Sequence, residues 1–389
     1  MKEAFYYCPK LETVELPDSV IDMQDAFCGC KSLVEIKLPQ YVENIKGSFN
    51  SCSSLKSIRI PDIVDNLDGT FGYCTSLEKI TIPNNVKSMR KTFRFCTSLK
   101  KIELPEYVTD ITEICLGSGL EEVTLPGSIS AMKNAFQDCR YLNKVTFSNK
   151  IRKLQSAMFS NCDSLKTIEL PLELDSIENS AFKSCGLRNL NIPSKTKYIG
   201  NYAFQDCEYL TKVSLNDSLE EIGNGAFEFT QLKEIIIPKN VKHINKYAFN
   251  GIKDIEKVIC YATEVPIPNT SDGDLFSVYA RWATLYVPNE SIEAYKSSKY
   301  WNCFGNIKPI EEYETEINDL NYRDIHITSN GGVIHISGMA NNTIVSTYSL
   351  SGNLIQTAKV ENGDTYLKTD GHNVVILKIG NESMKMSVK

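Results

Sequence analysis

The chain is poor in the residues that most often carry chemistry. Its 389 residues include four histidines and two tryptophans. No apolar run approaches the length of a membrane-spanning helix. An excess of positive charge is also missing: 42 Lys and Arg stand against 48 Asp and Glu, a formal net charge of -6. A protein built to hold nucleic acid carries clustered surplus Lys and Arg, so that partner is excluded as the main one. There is no G-x-S-x-G elbow, no P-loop and no G-x-G-x-x-G. Asp18, Asp62, Asp68 and Asp110 are scattered acids without the D-x-[DN]-x-[DN]-G spacing of a calcium loop. No catalytic residue, no cofactor and no metal site is therefore predicted, and the chain does not read as an enzyme.

What the chain does have is a period. Phe27, Cys30, Leu33, Ile36, Leu38 and Pro39 recur as Phe49, Cys52, Leu55, Ile58, Ile60 and Pro61, then as Phe71, Cys74, Leu77, Ile80, Ile82 and Pro83. A fixed spacing of 22 or 23 residues means a solenoid, in which no coil buries its apolar edge alone. In one coil Ile58 and Ile60 alternate with Ser57 and Arg59, which predicts a short half-buried strand. Pro61 ends it, because proline cannot donate to a ladder. Val42 and Ile45 mark a second extended segment, and Phe49 to Cys52 reads as one helical or 3₁₀ turn. Strand centres from Val14 to Val258 give about twelve coils, stacked as one parallel sheet roughly 55 Å long at the ~4.8 Å spacing of strands. Met1 to Phe5 begins inside a repeat. Since an array needs capped ends, the expectation is a truncated or processed start with an export signal upstream.

The thirteen cysteines look like a disulfide or zinc set until they are placed in the coil. Cys8, Cys30, Cys52, Cys74, Cys96, Cys139, Cys162, Cys185 and Cys207 hold one position, which predicts a buried column of thiols. Zinc wants Cys-x-x-Cys pairs or histidine partners, and Cys28-Gly29-Cys30 lacks that spacing. Variation is visible too. The Phe is lost near Cys115, Cys185-Gly186-Leu187 is one residue short, and Thr230 and Ile252 replace cysteines.

Signatures such as Ile199-Gly200-Asn201-Tyr202-Ala203-Phe204-Gln205-Asp206-Cys207 and Ile222-Gly223-Asn224-Gly225-Ala226-Phe227 resemble the BspA-like leucine-rich repeat family of bacterial surface proteins. The resemblance covers about residues 1–260. It implies a secreted or surface-attached protein acting in adhesion to host proteins, cells or other bacteria.

The period fails from Tyr261. Residues 262–280 read as a long loop, Thr284 to Val287 as a strand, and Asn289 as the N-cap of a helix over Ser291 to Lys296. Trp282 and Trp301 fall here. The favoured reading has both covering the last coil, since an exposed parallel edge aggregates; the alternative is a sugar-stacking platform. Glu311 to Glu316 holds four acids in six residues and reads as a solvated linker. Residues 317–389 alternate in period 2 between turns at Asn330-Gly331-Gly332, Ser351-Gly352-Asn353 and Asn362-Gly363-Asp364, which predicts a small antiparallel β-sandwich. Tyr348 to Ile355, Gly371 to Val375 and Ser383 to Lys389 are similar to the sorting domains of type IX-secreted proteins, although the aromatic of the Gly-x-Tyr element is absent. A plain Ig-like module is the equal alternative. His326 and His335 fall in neighbouring strands there, but two histidines without a carboxylate do not make a metal site.

The expected organisation is a solenoid over 1–260, its cap over 261–310, a linker over 311–316 and a sandwich over 317–389. Recognition is expected on outward-facing sheet positions. The candidates are Arg59, Lys79, Lys101, Glu103, Lys144, Glu169, Lys212, Ile236 and Ile259, with the last two as exposed neighbours. The expected partner is a host or bacterial surface protein, with a glycan as the alternative and nucleic acid excluded.

Overall fold

A computed structural model describes the chain except for residues 270–272, 315–325, 340, 352, 373, 380–381 and 389. It divides into two compact units, Met1–Ile310 and Glu311–Lys389.

The first unit is a parallel solenoid. Its core is a set of columns in which each apolar type stacks on its own kind. Phe27, Phe49, Phe71 and Phe93 are fully buried, with ring centroids 5.7 to 5.8 Å apart and planes within 7° of parallel. Such offset stacks are the favoured arrangement of ring quadrupoles at this distance. Cys115 takes the Phe place in the next coil, and the column resumes from Phe136 through Phe249 to Phe276.

The segment around each Phe is not the single helical turn expected. It is a run of turns marked by left-handed residues: Asp25 (φ 53°), Gly29 (φ 79°), Gly47 (φ 66°) and Ser51 (φ 62°). The amides along it are split. Asp25, Phe27 and Gly29 donate forward to Lys46, Ser48 and Asn50 of the next coil, at 3.0, 3.0 and 2.7 Å. The amides between them bond within the coil, as Ala26 does to Met23 (2.9 Å) and Cys30 to Phe27 (3.0 Å). A helix would keep those bonds internal and leave neighbouring coils joined by side chains alone.

Hydrogen-bonded strands come from two columns that alternate along the chain. They are β1 (Glu122–Leu125), β2 (Lys144–Phe147), β3 (Lys153–Leu154), β4 (Ser176–Ile177), β5 (Asn189–Asn191), β6 (Tyr198–Ile199), β7 (Lys212–Ser214), β8 (Glu221–Ile222), β9 (Glu234–Ile237), β10 (His243–Ile244) and β11 (Lys257–Cys260). The two-residue strands β3, β4, β6, β8 and β10 form one continuous parallel ladder. The column expected to be a single long sheet is segmented instead. It pairs β1 with β2, β5 with β7 and β9 with β11, and isolated bridges join Arg59 to Thr81 and Lys101 to Glu122. Strands three or four residues long, followed by a proline in most coils, leave few ladder bonds to make.

The sheet also continues past Tyr261. β12 (Thr284–Val287) pairs with β11, and β13 (Asn306–Pro309) pairs with β12, both parallel. Between them Asn289–Ser291 is a 3₁₀ turn leading into α1 (Ile292–Ser297), so Asn289 starts a turn rather than capping the helix. The tryptophans differ in burial. Trp301 is fully buried, its indole N–H donating to the Pro266 carbonyl at 2.8 Å. Trp282 is 82% exposed. Residues 310–314 are helical, with Glu311, Glu312 and Glu314 exposed, while Thr315 and Glu316 lie outside the described residues.

The second unit is a two-sheet antiparallel sandwich. β14 (His326–Asn330), β15 (Val333–Ser337) and β18 (Asp364–Lys368) form one sheet. β16 (Ile344–Tyr348), β17 (Leu354–Lys359), β19 (Val374–Ile379) and β20 (Glu382–Ser387) form the other. Alternation turns Ile334, Ile336, Val345, Leu367, Val375 and Leu377 into its core.

Candidate functional site

A strand that buries every second residue presents the others outward, and parallel stacking lines those up in columns one strand spacing apart. Over the early coils these positions floor a groove of about 1990 Å³. Of the residues expected from sequence, Arg59, Lys79, Lys101 and Glu103 line it. Lys144 lines an adjoining hollow of about 950 Å³ that shares Lys101 and Glu103. Glu169, Lys212 and Ile236 are exposed further along and line neither of these two.

Ile259 corrects the expectation: it is fully buried, whereas Ile236 is 40% exposed. The sheet does not end at β11, so Ile259 lies between Ile236 and Tyr286, and Tyr286 is itself buried. The pair of exposed isoleucines does not exist.

The groove's charges are partly committed. Lys101 Nζ lies 2.7 Å from the Glu122 carboxylate. That hydrogen bond and charge raise the lysine above its ordinary pKa and lower the glutamate below its own. The cations Lys37, Arg59 and Lys79 are exposed, and no ion pair to them is formed among the described residues.

Sequence reasoning missed the groove's rim. Each strand's terminal proline turns the chain, and the second residue after it points outward. That place holds Tyr41, Ile63 and Tyr107, which are 60%, 47% and 69% exposed. Asp62 and Glu106, their neighbours, line the groove, and Tyr107 lines the adjoining hollow. The signal was available as an apolar or aromatic residue two places after a proline. It was hidden because the outward strand columns alone were read as the surface.

Other clusters are smaller. Val278–Trp282 forms a 3₁₀ turn that exposes Val278, Tyr279 and Trp282. On the sandwich, His335 stacks on Tyr366 with centroids 4.4 Å apart and meets Asp364 at 3.1 Å. His326 pairs with Ser337, which sets the two histidines diagonally apart. No group of three or more metal-ligating side chains occurs among the described residues.

The model of the BspA type leucine-rich repeat region matches in six copies, over residues 1–118, 69–186 and 129–256. No curated protein matches the chain. A leucine-rich repeat protein from Bacteroides ovatus is similar at 24% identity, over 72% of this chain and 67% of that one, with a TM-score of 0.48. A leucine-rich cell surface protein from Faecalibacterium prausnitzii is similar at 23% identity, over 79% and 82%, also with a TM-score of 0.48. The pneumococcal vaccine antigen PcpA is similar at 20% identity, over 76% and 88%, with a TM-score of 0.46. With the matched copies running from residue 1 to 256 and the Phe, Cys and Leu columns stacked through them, the chain belongs to the BspA-type leucine-rich repeat family.

Proposed function

We propose that this chain is a non-catalytic recognition protein, exported to the bacterial cell surface, whose solenoid holds a protein ligand in the groove over its early coils. The observation that carries this is the composition of that groove. Arginine and lysine stand on its floor among acids such as Glu35, Glu78 and Glu103, exposed Ile63 follows the lining residue Asp62, and Tyr107 lines the adjoining hollow. Interface centres are enriched in aromatic residues and arginine, and a solvated face has no need of exposed apolar side chains in one column. The surface location rests on family membership. The sandwich over 317–389 is the module that would sort or display the protein. No described helix is long and apolar enough to cross a membrane.

Ser57 and Thr81 sit on the groove floor and are exposed. Ser57→Trp with Thr81→Trp fills the groove without touching the core. Biolayer interferometry against purified extracellular-matrix and bacterial surface proteins should show saturable binding that this double variant removes. Binding unchanged by the filling would refute the assignment.

One observation favours a second reading, a glycan site on the cap. Trp282 is 82% exposed beside Val278 at 69%, and sugars stack on such flat aromatic surfaces. A glycan array that shows saturable binding lost on Trp282→Ala would select this reading over the first.

A further inference from the structure

Three kinds of side-chain link tie the early coils together. A ring stacks on the preceding ring, as Phe71 does on Phe49. A thiol donates to the preceding turn, as Cys74 does to the Phe49 carbonyl at 3.1 Å. A hydroxyl does the same from a neighbouring column: Ser48 donates to Met23 at 2.6 Å, Thr70 to Ile45 at 3.3 Å and Thr92 to Leu67 at 2.9 Å. All three stop together between the coil of Phe93 and the coil of Cys115. Cys115 supplies no ring, and Ile114 stands where the hydroxyl would be. Ser118 holds the thiol position, and its hydroxyl meets Cys139 Sγ of the following coil at 3.5 Å. Other coils lose one link and keep another. The coil of Phe227 has Thr230 for the thiol but keeps its ring on Phe204. Cys115 gives Phe136 no ring to stack on, yet Cys139 reaches the Cys115 carbonyl at 3.0 Å. Among the described residues, the junction of the Phe93 and Cys115 coils alone has neither a ring stack nor a thiol link.

The same junction holds the densest set of ion pairs. Arg90 meets Asp110 at 3.6 Å, Arg94 meets Glu113 at 3.5 Å, Lys100 meets Glu121 at 3.2 Å and Lys101 meets Glu122 at 2.7 Å. No other two coils share more than two among the described residues. Forward amide bonds continue across it: Met89 to Asp110 (2.9 Å), Lys91 to Thr112 (2.9 Å), Phe93 to Ile114 (2.7 Å) and Phe95 to Leu116 (2.8 Å). Leu99 and Leu120 carry the buried leucine column through. The outward strand column crosses on one isolated bridge, Lys101 to Glu122, and pairs as a ladder only from β1 onward. We infer that this junction is a joint latched by ion pairs, which couples two cooperative blocks of the solenoid and opens as salt screens the latch. Repeat arrays are sums of coil stabilities and nearest-neighbour terms, so the weakest interface sets where an array parts. Exposed ion pairs are screened by salt, and stacked rings are not. The groove-lining residues, Thr13 to Glu106, all lie on the N-terminal side of the joint, whereas the adjoining hollow, Lys101 to Lys150, has walls on both sides. Opening therefore leaves the groove whole and parts the hollow, whatever the groove binds. An occupant of the hollow would favour the closed state.

Native-state hydrogen exchange on the full chain reads single junctions. The amides of Met89, Lys91, Phe93 and Phe95 report on the joint. Those of Leu67, Gly69, Phe71 and Tyr73, which donate to Ser88, Arg90, Thr92 and Arg94, report on the junction before it. Raising NaCl from about 0.1 M to about 1 M shortens the screening length from ~10 Å to ~3 Å. The joint amides should then exchange about tenfold faster, as expected for the loss of several exposed pairs, while the reference amides keep their rates. Glu113→Gln with Glu122→Gln removes two of the pairs. It should speed exchange at the joint already at about 0.1 M NaCl and weaken the response to added salt. Glu220→Gln with Glu256→Gln removes two pairs at other junctions and should leave the joint as it was. Ser118→Cys restores the thiol in a short turn like that of Cys185, which reaches the Phe159 carbonyl at 2.8 Å, and should slow exchange at the joint. Circular dichroism should report an unchanged fold for all three variants. An equal salt response at both junctions, equal effects of the two glutamate double variants, or no slowing in Ser118→Cys would overturn the inference.

Discussion

Gly186 offers a sharp test of how the coils fit together. Three coils lose one residue between the thiol position and the following leucine, at Ser118-Gly119-Leu120, Cys185-Gly186-Leu187 and Thr230-Gln231-Leu232, and the first two carry glycine in the gap. The shortened turn pulls the backbone against the preceding coil. A methyl group on Gly186 would lie 2.1 Å from the Asp163 carbonyl oxygen and 3.1 Å from its carbon. Reaching ordinary contact would push the adjoining backbones apart by more than about 1 Å. It would also strain the Gly186 N–H bond to the Cys162 carbonyl, now 3.3 Å. Overpacking costs about 1–3 kcal/mol and a lost backbone bond about 1 kcal/mol, so Gly186→Ala should destabilise by about 2–4 kcal/mol. Gly69→Ala is the control. Gly69 has φ +66° but nothing within 4 Å of an added Cβ, so it carries only the left-handed penalty of about 1–2 kcal/mol. Urea unfolding followed by far-ultraviolet circular dichroism measures both. Hydrogen exchange should place the extra opening of Gly186→Ala in the coils on either side of residue 186, because repeat arrays couple only to neighbours. A Gly186→Ala variant no less stable than Gly69→Ala would refute the account of the short coils.

Phe71→Ala removes a ring stacked on both sides and should cost about 3–5 kcal/mol by the same urea assay. Burial pushes the Cys96 and Cys139 thiols up to about 12. Their contribution to stability is whole below the unfolded thiol pKa of about 8.5 and is lost as pH rises toward 12, by about 1.4 kcal/mol per pH unit for each thiol. Urea midpoints measured from about pH 8 to pH 10 should therefore fall, and a flat profile would contradict the buried column. Alkylation of the folded protein near neutral pH should reach Cys8, Cys28 and Cys303, the three half-buried thiols, well before the other ten. Trp282→Ala should leave the melting temperature unchanged. Trp301→Ala, which empties a buried site and orphans the Pro266 carbonyl, should cost about 3–5 kcal/mol.

The columns were legible in the sequence because each buried position is set by one residue type at one spacing. Phe49, Cys52, Leu55 and Ile58 needed only the period to be placed in the core, and all four are buried. The left-handed residues were not legible, because Asp25, Ser51, Tyr73, Lys91 and Ala157 share that backbone state without sharing a side-chain type. Their conformation comes from the neighbouring coils, which collect their forward amides. The continuation of the sheet through β12 and β13 was hidden for a related reason. The inserted loop and α1 lengthen the connection and erase the period, while parallel pairing from Lys257 to Thr284 to Asn306 persists. That pairing buried Ile259 and removed it from the candidate surface. Of that surface, the outward floor residues followed from alternation alone, whereas the rim tyrosines required knowing which way the proline turns face.

The cysteine column shows why these thiols persist in a protein proposed for export. Cys52 Sγ donates to the Phe27 carbonyl at 3.2 Å, Cys74 to Phe49 at 3.1 Å, Cys96 to Phe71 at 3.0 Å and Cys207 to Phe182 at 3.1 Å. Each thiol thus reaches back one coil and joins the core to the backbone turn that carries the preceding ring. The position needs a side chain small enough for the stack, apolar enough for full burial, and able to donate a weak hydrogen bond. Alanine lacks the donor, and valine lacks it while adding bulk. Thr230 shows the effect of replacing the thiol: its hydroxyl turns to Phe227 of its own coil at 2.9 Å, and the link to the preceding coil is lost. A disulfide between successive coils would likewise consume two donors. The same burial that raises these thiols also withholds the thiolate that oxidation requires, so the column that holds the coils together protects its own chemistry.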